Sequence, residues 1–466
     1  MKRIKYYLAT LLASVLLLSS CSESFFDVNV DPNNPADVTP ALALPSGLSG
    51  SAYVLGGYYL ALGGFWSQHY AQAPAASQWA EWETYNLSED DLNRQFTLLY
   101  AGALNDFEYV RKVTAPEKNW KYYSIATLMQ AYTFQVLADL YDKVPFTEAL
   151  KGSANLQPKY DNGSVVYDSL LVRINDAIAK DFTSSSVETP GTEDVVFGGD
   201  ITKWIQFANT LKLKMYLRYV NVDANKYKTQ IVALLNENNF LTTDAKFAAF
   251  KAEQTGYNPF YNTFVDRLTG NINANKTLMD YLVNNTDPRK AKIFTASVTG
   301  ANYNAVATGQ SGTKDLAGKT IKDFATPTVG TVAPVYFFSK EEVLFLIAEA
   351  QARYTTAAAA EASFNAAVAA SQTSLGVAAA DLKVYPYNGI QSILEQKWVA
   401  AANKNAIESF FDYNRTGFPN FFSESLTTTL QPGQRPKRLF FPDVERKTNS
   451  NTPAKVAMTE KVWWGK

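Results

Sequence analysis

The feature that most constrains the fold is a run of apolar residues at helical spacing in the middle of the chain. Within residues 203–220, KWIQFANTLKLKMYLRYV, one apolar stripe consists of Trp204, Phe207, Ala208, Leu211 and Met215. This spacing places the five side chains on one face of an α-helix and leaves Lys203, Lys212 and Lys214 outside that face. Because such a helix is stable only when its stripe packs against other elements, the pattern predicts a fold of packed helices.

Further segments show the same helical character. In residues 339–354, SKEEVLFLIAEAQARY, Ser339 is a suitable N-cap and two glutamates fill the first turn. Residues 119–141 and 391–415 are long helical candidates, and the alanine-rich stretch 355–376 follows closely on residue 354, which indicates an antiparallel helix pair. No regular repeat is visible, so we predict a mostly α fold of tetratricopeptide-like helical pairs without a regular solenoid.

The composition changes between about residues 240 and 338. This stretch is rich in Gly, Asn, Thr, Pro and aromatic residues, as in TGANYNAVATGQSGTKDLAGKT. We predict long loops with a few short strands, inserted into a single helical domain that covers residues 41–466. Loops of this length in a compact protein are usually functional.

The chain begins with the pattern of an export signal. A short basic segment is followed by an apolar run from Leu8 to Leu18 and then by Ser19, Ser20 and Cys21, the only cysteine in 466 residues. The apolar run is too short to span a bilayer. The end of the signal resembles a bacterial lipobox, so we predict a signal peptide at residues 1–20 and lipid attachment at Cys21. The alternatives are a cleaved or unmodified secreted form and a catalytic thiol, which would require a histidine partner.

Residues 21–40 form a turn-rich leader that we interpret as a lipidated, extended tether. Asp27, Asn29 and Asp31 have the spacing of a calcium loop, but Pro32 occupies the position of the required glycine and Val38 that of the required glutamate. We therefore predict no metal ion and no cofactor other than the lipid. A calcium ion at another loop is left open.

Composition and motifs argue against two classes of function. The net charge is −1, which does not provide the basic excess that a nucleic-acid-binding surface needs. The chain lacks HExxH, CxxC and GxSxG motifs, and its only histidine, His69, is interpreted as a packed residue. Carboxylate pairs such as Glu81 and Glu83 could serve a glycosidase, but the sequence does not give their separation. We predict that the protein is not an enzyme.

Seven segments, in order along the chain, resemble the SusD/RagB family of nutrient-binding outer-membrane lipoproteins. They are FFDVNVDPNNP (25–35), ADLYDKVPFTEAL (138–150), WIQFANTLKLKMYLR (204–218), NNTDPRK (284–290), FLIAEAQAR (345–353), ILEQKWVAAANKNAIESFFDYNRTGFP (393–419) and RLFFPDVERKTN (438–449). The details are most similar to the SusD-like, starch-binding-associated subfamily. The chain departs from the family at Asn414, where an arginine is frequent, and at Gln396.

The resemblance implies a role at the cell surface. Such proteins are lipid-anchored to the outer membrane, face the exterior, and act as a lid over a SusC-like TonB-dependent transporter that imports a captured glycan or, in some members, a peptide. A surface adhesin or structural helical-repeat lipoprotein is the alternative. Within the family's segments, we expect Arg415 and Arg438 to bridge carboxylates or backbone carbonyls in the core.

Exposed aromatic residues outside the helices are the expected ligand contacts. Flat rings pack against the C–H faces of sugars, and neighbouring amides and carboxylates bind hydroxyl groups. The segments GFWSQHY, SQWAEWETYN and GYNPFYNTF combine these residue types. The predicted ligand-binding residues are Trp66, Gln68, Gln78, Trp79, Trp82, Tyr85, Asn86, Tyr257, Asn258 and Tyr261.

Overall fold

The computed structural model describes residues 38–183 and 188–466 of the chain. The signal peptide, Cys21 and most of the tether therefore lie outside the described residues. The α-helices are α1 (Pro40–Tyr53), α2 (Leu60–Trp66), α3 (Ala80–Glu83), α4 (Asn93–Thr97), α5 (Asn105–Thr114), α6 (Trp120–Tyr141), α7 (Gly163–Ile178), α8 (Ile201–Arg218), α9 (Lys228–Glu237), α10 (Lys276–Asn284), α11 (Lys290–Ile293), α12 (Lys340–Tyr354), α13 (Ala357–Ser374), α14 (Gly389–Ala401), α15 (Ala406–Thr416) and α16 (Asp443–Thr448).

Shorter helical turns connect these elements. The 3₁₀ turns are Asp90–Leu92, Gly152–Ala154, Tyr219–Asn221, Gln254–Gly256, Lys314–Leu316, Ile321–Asp323 and Ala379–Asp381. Three segments are π-helical, π1 (Val54–Tyr59), π2 (Leu98–Leu104) and π3 (Tyr261–Arg267). Because π1 runs directly from α1 into α2, and π2 from α4 into α5, these two π turns interrupt longer continuous helices.

Helical pairs make up most of the molecule, as the sequence predicts. Helix α6 packs against α5 and α7, and α12 packs against α13 and α14. The side chain of Ser339 accepts a hydrogen bond from the backbone N–H of Glu342 at 3.2 Å, which confirms the predicted cap of α12. The predicted single helix over 391–415 is wrong, because the chain breaks between α14 and α15, where Asn403 has a φ of 62°.

Helix α8 lies deep in the core. Its predicted apolar stripe is fully buried, but so is every other residue from Phe207 to Arg218, apart from a slightly exposed Lys212. The prediction of a helix with one solvent-facing side is therefore wrong for this part of α8. Lys214, which the periodicity places outside the stripe, is completely buried.

The loop-rich segment contains short strands, as expected. Strands β4 (Ala245–Phe247), β5 (Ile272–Ala274), β6 (Phe294–Thr295), β7 (Thr326–Pro327) and β8 (Val335–Phe338) lie within it, and β1 (Tyr70–Gln72), β2 (Lys143–Pro145) and β3 (Tyr160–Asn162) precede it. All pairings are antiparallel, β1 with β5, β2 with β3, β4 with β8 and β6 with β7. In the first, Tyr70 lies opposite Ala274, so this pair joins the first helices to the loop-rich segment.

Buried charges connect the sequence segments that resemble the family. The guanidinium of Arg218 in α8 lies 3.0 Å from Asp139 of α6 and 2.8 Å from Glu408 of α15. Lys214 lies 3.0 Å from both Glu342 and Glu408. All these groups are buried, so each charge requires its partners. Residues that are far apart in the sequence thus meet in one ionic network at the centre of the helical pairs.

The two arginines singled out in the sequence have the expected structural roles. Arg415 pairs with Glu349 of α12 and, at 2.9 Å, with Asp412 of its own helix. Arg438 donates to the backbone carbonyl of Tyr141, where α6 ends. Both arginines are buried, and the prediction that they bridge carboxylates and backbone carbonyls in the core is confirmed.

Helix α2 crosses α15 at a position where only glycine fits. A Cβ atom placed on Gly63 would lie 2.3 Å from the backbone nitrogen of Ile407. Ile407 belongs to the first turn of α15, so the backbones of the two helices are in direct contact. This contact fixes the segment around residue 66 against the C-terminal helices.

Candidate functional site

An open groove crosses the surface at Tyr281 in α10. The ring of Phe421 stacks on that of Tyr281, with 5.5 Å between centroids and 21° between planes. Phe421 is 38% exposed, the most exposed aromatic side chain in residues 38–183 and 188–466. Cavities of about 480 Å³ and about 230 Å³ both border Tyr281 and Asn285. We call the two cavities together the Tyr281 groove, which has an aromatic surface between its two parts.

The core holds the Tyr281 ring rigidly. Its edge packs on Trp398 of α14, with ring centroids 5.6 Å apart, and its hydroxyl accepts a hydrogen bond from the amide of Gln396 at 2.9 Å. Arg289 donates to the same amide at 2.6 Å and is itself paired with Asp287. Burial, with a smaller contribution from a nearby carboxylate, raises the pKa of Tyr281 to about 12, so its phenol is neutral near pH 7.

Polar side chains surround this aromatic surface. The amides and carboxylates that line the groove are Asp280, Asn284, Asn285, Asn388, Gln391, Glu395 and Gln396. Asp280 pairs with Lys276 at 2.6 Å, and Glu395 accepts a hydrogen bond from Gln391 at 2.8 Å. Burial raises the pKa of the Glu395 carboxyl. The groove therefore offers hydrogen-bond donors and acceptors next to exposed ring faces, a combination suited to a hydroxyl-rich ligand.

Gln68, predicted as a ligand contact, lies beneath the groove and is fully buried. Its side-chain oxygen accepts hydrogen bonds from the hydroxyl of Thr277 at 2.6 Å and the backbone N–H of Ser423 at 3.0 Å. Its amide donates to the carbonyl of Ser423 at 2.5 Å. Thr277 and Ser423 both line the groove. Gln68 is thus a positioning residue for this part of its lining.

The predicted aromatic cluster near residue 80 belongs to the core. Trp66, Trp79, Trp82 and Tyr85 are at most 6% exposed, so the expectation that they form an open surface is wrong. The indole N–H of Trp66 donates to the carbonyl of Trp82 at 2.9 Å, and the rings of Trp79 and Trp82 pack edge to face at 5.0 Å. The physical reason is that Trp79 packs against Phe264 of π3, with ring centroids 4.7 Å apart, and Trp82 packs against Tyr58 of π1 at 6.4 Å, which directs both rings inward.

The remaining predicted residues fall into two groups. Gln78 and Asn86 are exposed at either end of the buried aromatic cluster. Tyr257 and Tyr261 are half-buried, with ring centroids 5.2 Å apart. Asn258 between them is buried and donates to the carbonyl of Ala333 at 2.7 Å, so its amide is used within the fold. None of these residues lines the Tyr281 groove, and ligand binding by any of them stays a prediction.

Sequence reasoning missed Tyr281 and Phe421, the residues that form the aromatic surface of the groove. A local signal was present, because Tyr281 precedes a pair of asparagines at the end of an amphipathic helix and Phe421 follows a Gly-Phe-Pro turn. The two rings are far apart in the sequence, however, and their stacking depends on the contact of each with Trp398.

Two further properties bear on function. In residues 38–183 and 188–466, no group of three or more His, Cys, Asp or Glu side chains is arranged to hold a metal ion. In the same part of the chain, no helix is long and apolar enough to cross a membrane. Asp27, Asn29 and Asp31, considered above for calcium, lie outside the described residues, as does Cys21.

Comparisons with known proteins agree with the fold. Residues 61–442, more than half of the chain, match the sequence profile of the SusD-like family described as "Starch-binding associating with outer membrane". A SusD homologue from Bacteroides uniformis is similar in structure, with 21% identity, a TM-score of 0.76, and coverage of 91% of this chain and 99% of that one. No curated protein matches the sequence.

Two similar structures carry a description of their ligand. One is described as a chitin-binding protein, with 23% identity, a TM-score of 0.76, and coverage of 91% of this chain and 99% of that one. The other is a chitin-binding SusD homologue from Flavobacterium johnsoniae, with 20% identity, a TM-score of 0.76, and coverage of 90% and 98%. At this identity the likeness shows a common fold. On the evidence of the sequence profile and the helical-pair architecture, the chain belongs to the SusD-like family.

Proposed function

We propose that the protein captures an oligosaccharide in the Tyr281 groove and delivers it to a TonB-dependent transporter in the outer membrane. The observation that carries this proposal is the stacked pair of Tyr281 and Phe421, exposed on one side and surrounded by amides and carboxylates. The family description and the chitin-binding relatives support a carbohydrate as the ligand.

The chemistry of the groove favours a sugar over a flat aromatic ligand. An aromatic face contacts the C–H groups of a pyranose ring, while the amides of Asn284 and Gln391 can bind its hydroxyls. The groove is open and has two parts on either side of Tyr281, so several linked sugar units can lie along it. A peptide also offers amides and apolar side chains, and it is the competing ligand class that the experiment must test.

Anchoring and transfer form the second part of the proposal. Lipid attached at Cys21 would hold the protein on the outer membrane, because several acyl chains together give stable association where one chain is marginal. Residues 21–40 would serve as the tether. A SusC-like transporter is the proposed partner, and the membrane's outer face is the proposed location.

We further propose binding without catalysis. Glu395 is the carboxylate in the groove whose pKa is raised, so hydrolysis of a bound glycan is the activity to check. Incubation of the protein with each glycan that it binds, followed by chromatography of the products, provides this test. Release of shorter oligosaccharides would contradict the proposal.

The central experiment is calorimetric titration of the chain carrying Cys21→Ala with maltohexaose, cellohexaose, chitohexaose and a mixture of peptides. We expect binding of one glycan class, weakened about tenfold or more by Phe421→Ala, since an aromatic contact contributes on the order of 1 kcal/mol beyond its buried area. The Tyr281→Phe variant keeps the aromatic ring and is expected to bind the same glycan as the wild type. Val172→Ala removes a side chain that is 69% exposed on α7 and serves as the matched control.

Two results would overturn this function. Binding of peptides and of none of the glycans would replace the ligand class. Glycan binding that is unaffected by Phe421→Ala would move the ligand away from the groove. For the partner, the lipidated chain should co-purify from detergent-extracted outer membranes with a large transporter, and recovery of the chain alone would contradict the delivery step.

A further inference from the structure

A second groove, separate from the first, lies beside helix α1. It encloses about 480 Å³, within the range of ~300–1,000 Å³ typical of ligand sites, and shares no lining residue with the Tyr281 groove. Three half-buried rings, those of Tyr53, Phe250 and Tyr257, border it, together with Ser49 and Thr255. We call it the Tyr257 groove.

Two of the π-helical segments in the described part of the chain line this groove, and the third begins directly beside it. Segment π2 contributes Leu98, Gly102 and Ala103 to the lining, and π3 contributes Asn262. Tyr53 is the residue directly before π1. A π turn is rare and less favourable than an α turn, and it occurs frequently at functional sites. Two such turns, from distant parts of the sequence, line one cavity and a third begins next to it, so the backbone around the cavity departs from regular helix packing.

One polar group at the groove lacks a partner within the fold. The side-chain oxygen of Asn262 is buried and accepts no hydrogen bond. Its backbone N–H is used, donating to the carbonyl of Asn258 at 2.8 Å, so the first turn of π3 is fixed while the amide oxygen is left unsatisfied. Buried polar groups are normally paired, and a turn of the Asn262 side chain towards the groove would let a ligand hydroxyl supply the missing donor.

The charge of the lining restricts the ligand class. Asp106 is the one charged residue among the lining residues, all of which belong to the described part of the chain, and it accepts a hydrogen bond from Ser46 at 2.7 Å. No lysine, arginine or histidine in this lining could balance an anionic ligand such as a uronic acid or a sulfated glycan. The tyrosine rings and hydroxyls fit a neutral ligand rich in C–H faces and O–H groups.

We propose that the Tyr257 groove is a second binding site for neutral oligosaccharides. The inference rests on the proposed function in that it assigns the same class of ligand to a separate site. Two sites on one chain would let a polysaccharide bind at two points, which raises its apparent affinity when the distance between the sites matches the ligand.

Gly102 provides a direct test, because it lies in the floor of the groove. A Cβ atom placed there meets no atom within 4 Å, so Gly102→Trp can occupy the cavity without a clash at the backbone. Gly312 is equally open and lies in neither groove, so Gly312→Trp is the matched control. Tyr257→Ala removes a half-buried ring and tests the same site by loss of contact.

The experiment is calorimetry of the chain carrying Cys21→Ala with the hexasaccharide it binds, and then with a galacturonic acid oligomer. We expect two sites per chain in the wild type and one in Gly102→Trp, with the site that depends on Phe421 unchanged. Tyr257→Ala should weaken the second site about tenfold. Gly312→Trp should retain both sites, and the uronic acid oligomer should not bind at the Tyr257 groove.

The outcomes separate this inference from the proposed function. A single site that is lost in Phe421→Ala and intact in Gly102→Trp overturns the inference and leaves the proposed function standing. If the wild type has a single site, and binding is lost in Gly102→Trp but unchanged in Phe421→Ala, the ligand binds in the Tyr257 groove. This result would overturn the proposed role of the Tyr281 groove. Absence of any glycan binding overturns both.

Discussion

Arg415 and Glu349 form a two-pronged ion pair between α15 and α12, with Nη2 of Arg415 2.7 Å from the second carboxylate oxygen of Glu349 and both side chains 1% exposed. Burial opposes ionisation of Glu349, but the charges of Arg415 and Arg353 outweigh it and lower the pKa of Glu349 to about 2. The pair therefore remains ionised at neutral and mildly acidic pH, and it joins two of the segments that resemble the family.

Arg415→Met should destabilise the protein strongly. The substitution leaves Glu349 buried with Arg353 as its remaining cation, and loss of one partner of a buried pair costs about 3–5 kcal/mol. The free energy of unfolding from denaturant titration measures this. The double variant Arg415→Met with Glu349→Leu should recover much of the loss, because no unpaired carboxylate remains. A double variant that is less stable than the single one would contradict this explanation.

His69 should make the protein sensitive to mild acid. Burial, against a smaller effect of the Trp398 backbone, lowers the pKa of His69 to about 3, from 6.5 in the unfolded chain. The unfolded state therefore binds a proton below pH 6.5 that the folded state does not, and stability is lost as the pH falls. Between pH 7 and pH 5 the loss is about 2 kcal/mol.

The matched variant is His69→Phe, which keeps a ring against Trp398, whose centroid lies 5.5 Å from that of His69. Since His69 is the only histidine of the chain, this variant removes all histidine titration. Thermal unfolding at pH 7 and pH 5 should show a smaller acid-induced decrease for His69→Phe than for the wild type. Equal decreases would show that His69 is not responsible.

Glu83 should have the opposite pH dependence. Burial raises the pKa of its carboxyl to about 8, although the backbone N–H groups of Gln72 and Gly309 oppose the shift. A carboxyl whose pKa is raised on folding contributes most stability below its unfolded pKa of 4.5, and this contribution is lost as the pH rises towards 8. Glu83→Gln should therefore stabilise the protein more at pH 8 than at pH 5, by about 3–4 kcal/mol, in denaturant titrations. A pH-independent effect would mean that Glu83 is ionised throughout.

Gly63→Ala should separate α2 from α15. The added methyl group would lie within 2.4 Å of two backbone atoms of Ile407, and backbone cannot move aside as a flexible side chain can. Overpacking of this kind costs about 1–3 kcal/mol or more. Gly102→Ala, where the methyl group meets open space, is the control for the glycine replacement itself. Similar melting temperatures for the two variants would contradict the close helix crossing.

Trp82→Ala and Phe421→Ala should have opposite effects. Trp82 is 5% exposed, and truncation of a buried tryptophan costs about 3–5 kcal/mol. Phe421 is 38% exposed, so its removal should change stability little while reducing glycan binding. Melting temperature and calorimetric affinity, measured on both variants, separate the two roles. If the Trp82→Ala variant folds normally but loses glycan affinity, the result would support the ligand site that the sequence predicts around Trp82.

Some features of the structure could be predicted from the sequence and others could not. The helix cap at Ser339 and the apolar stripe of α8 are local patterns, and local patterns could be predicted. The buried state of Lys214 could not, because it depends on Glu342 and Glu408 from other helices. Periodicity assigns a lysine to the solvent side unless its partners are known.

The candidate site was harder to predict for the same reason. Trp82 alternates with polar residues in the sequence, as an exposed sugar-binding tryptophan would, but its ring turns inward and Glu83 beside it is buried too, while Glu81 faces out. Tyr281 and Phe421 form the aromatic surface of the groove because both contact Trp398. Interleaved aromatic and polar residues therefore indicate a partly buried turn as well as they indicate a ligand site.

The hydrogen bonds of Gln68 also bear on when the Tyr281 groove can form during the proposed export of the chain. They join Gln68 to Thr277 and Ser423, which are 209 and 355 positions further along the chain. If the chain is exported N-terminus first, as proposed, neither Thr277 nor Ser423 is present when Gln68 emerges, and Ser423 follows only when nearly all of the chain has crossed the membrane. The proposed Tyr281 groove would then form only at the end of translocation, and a partly translocated chain would lack it.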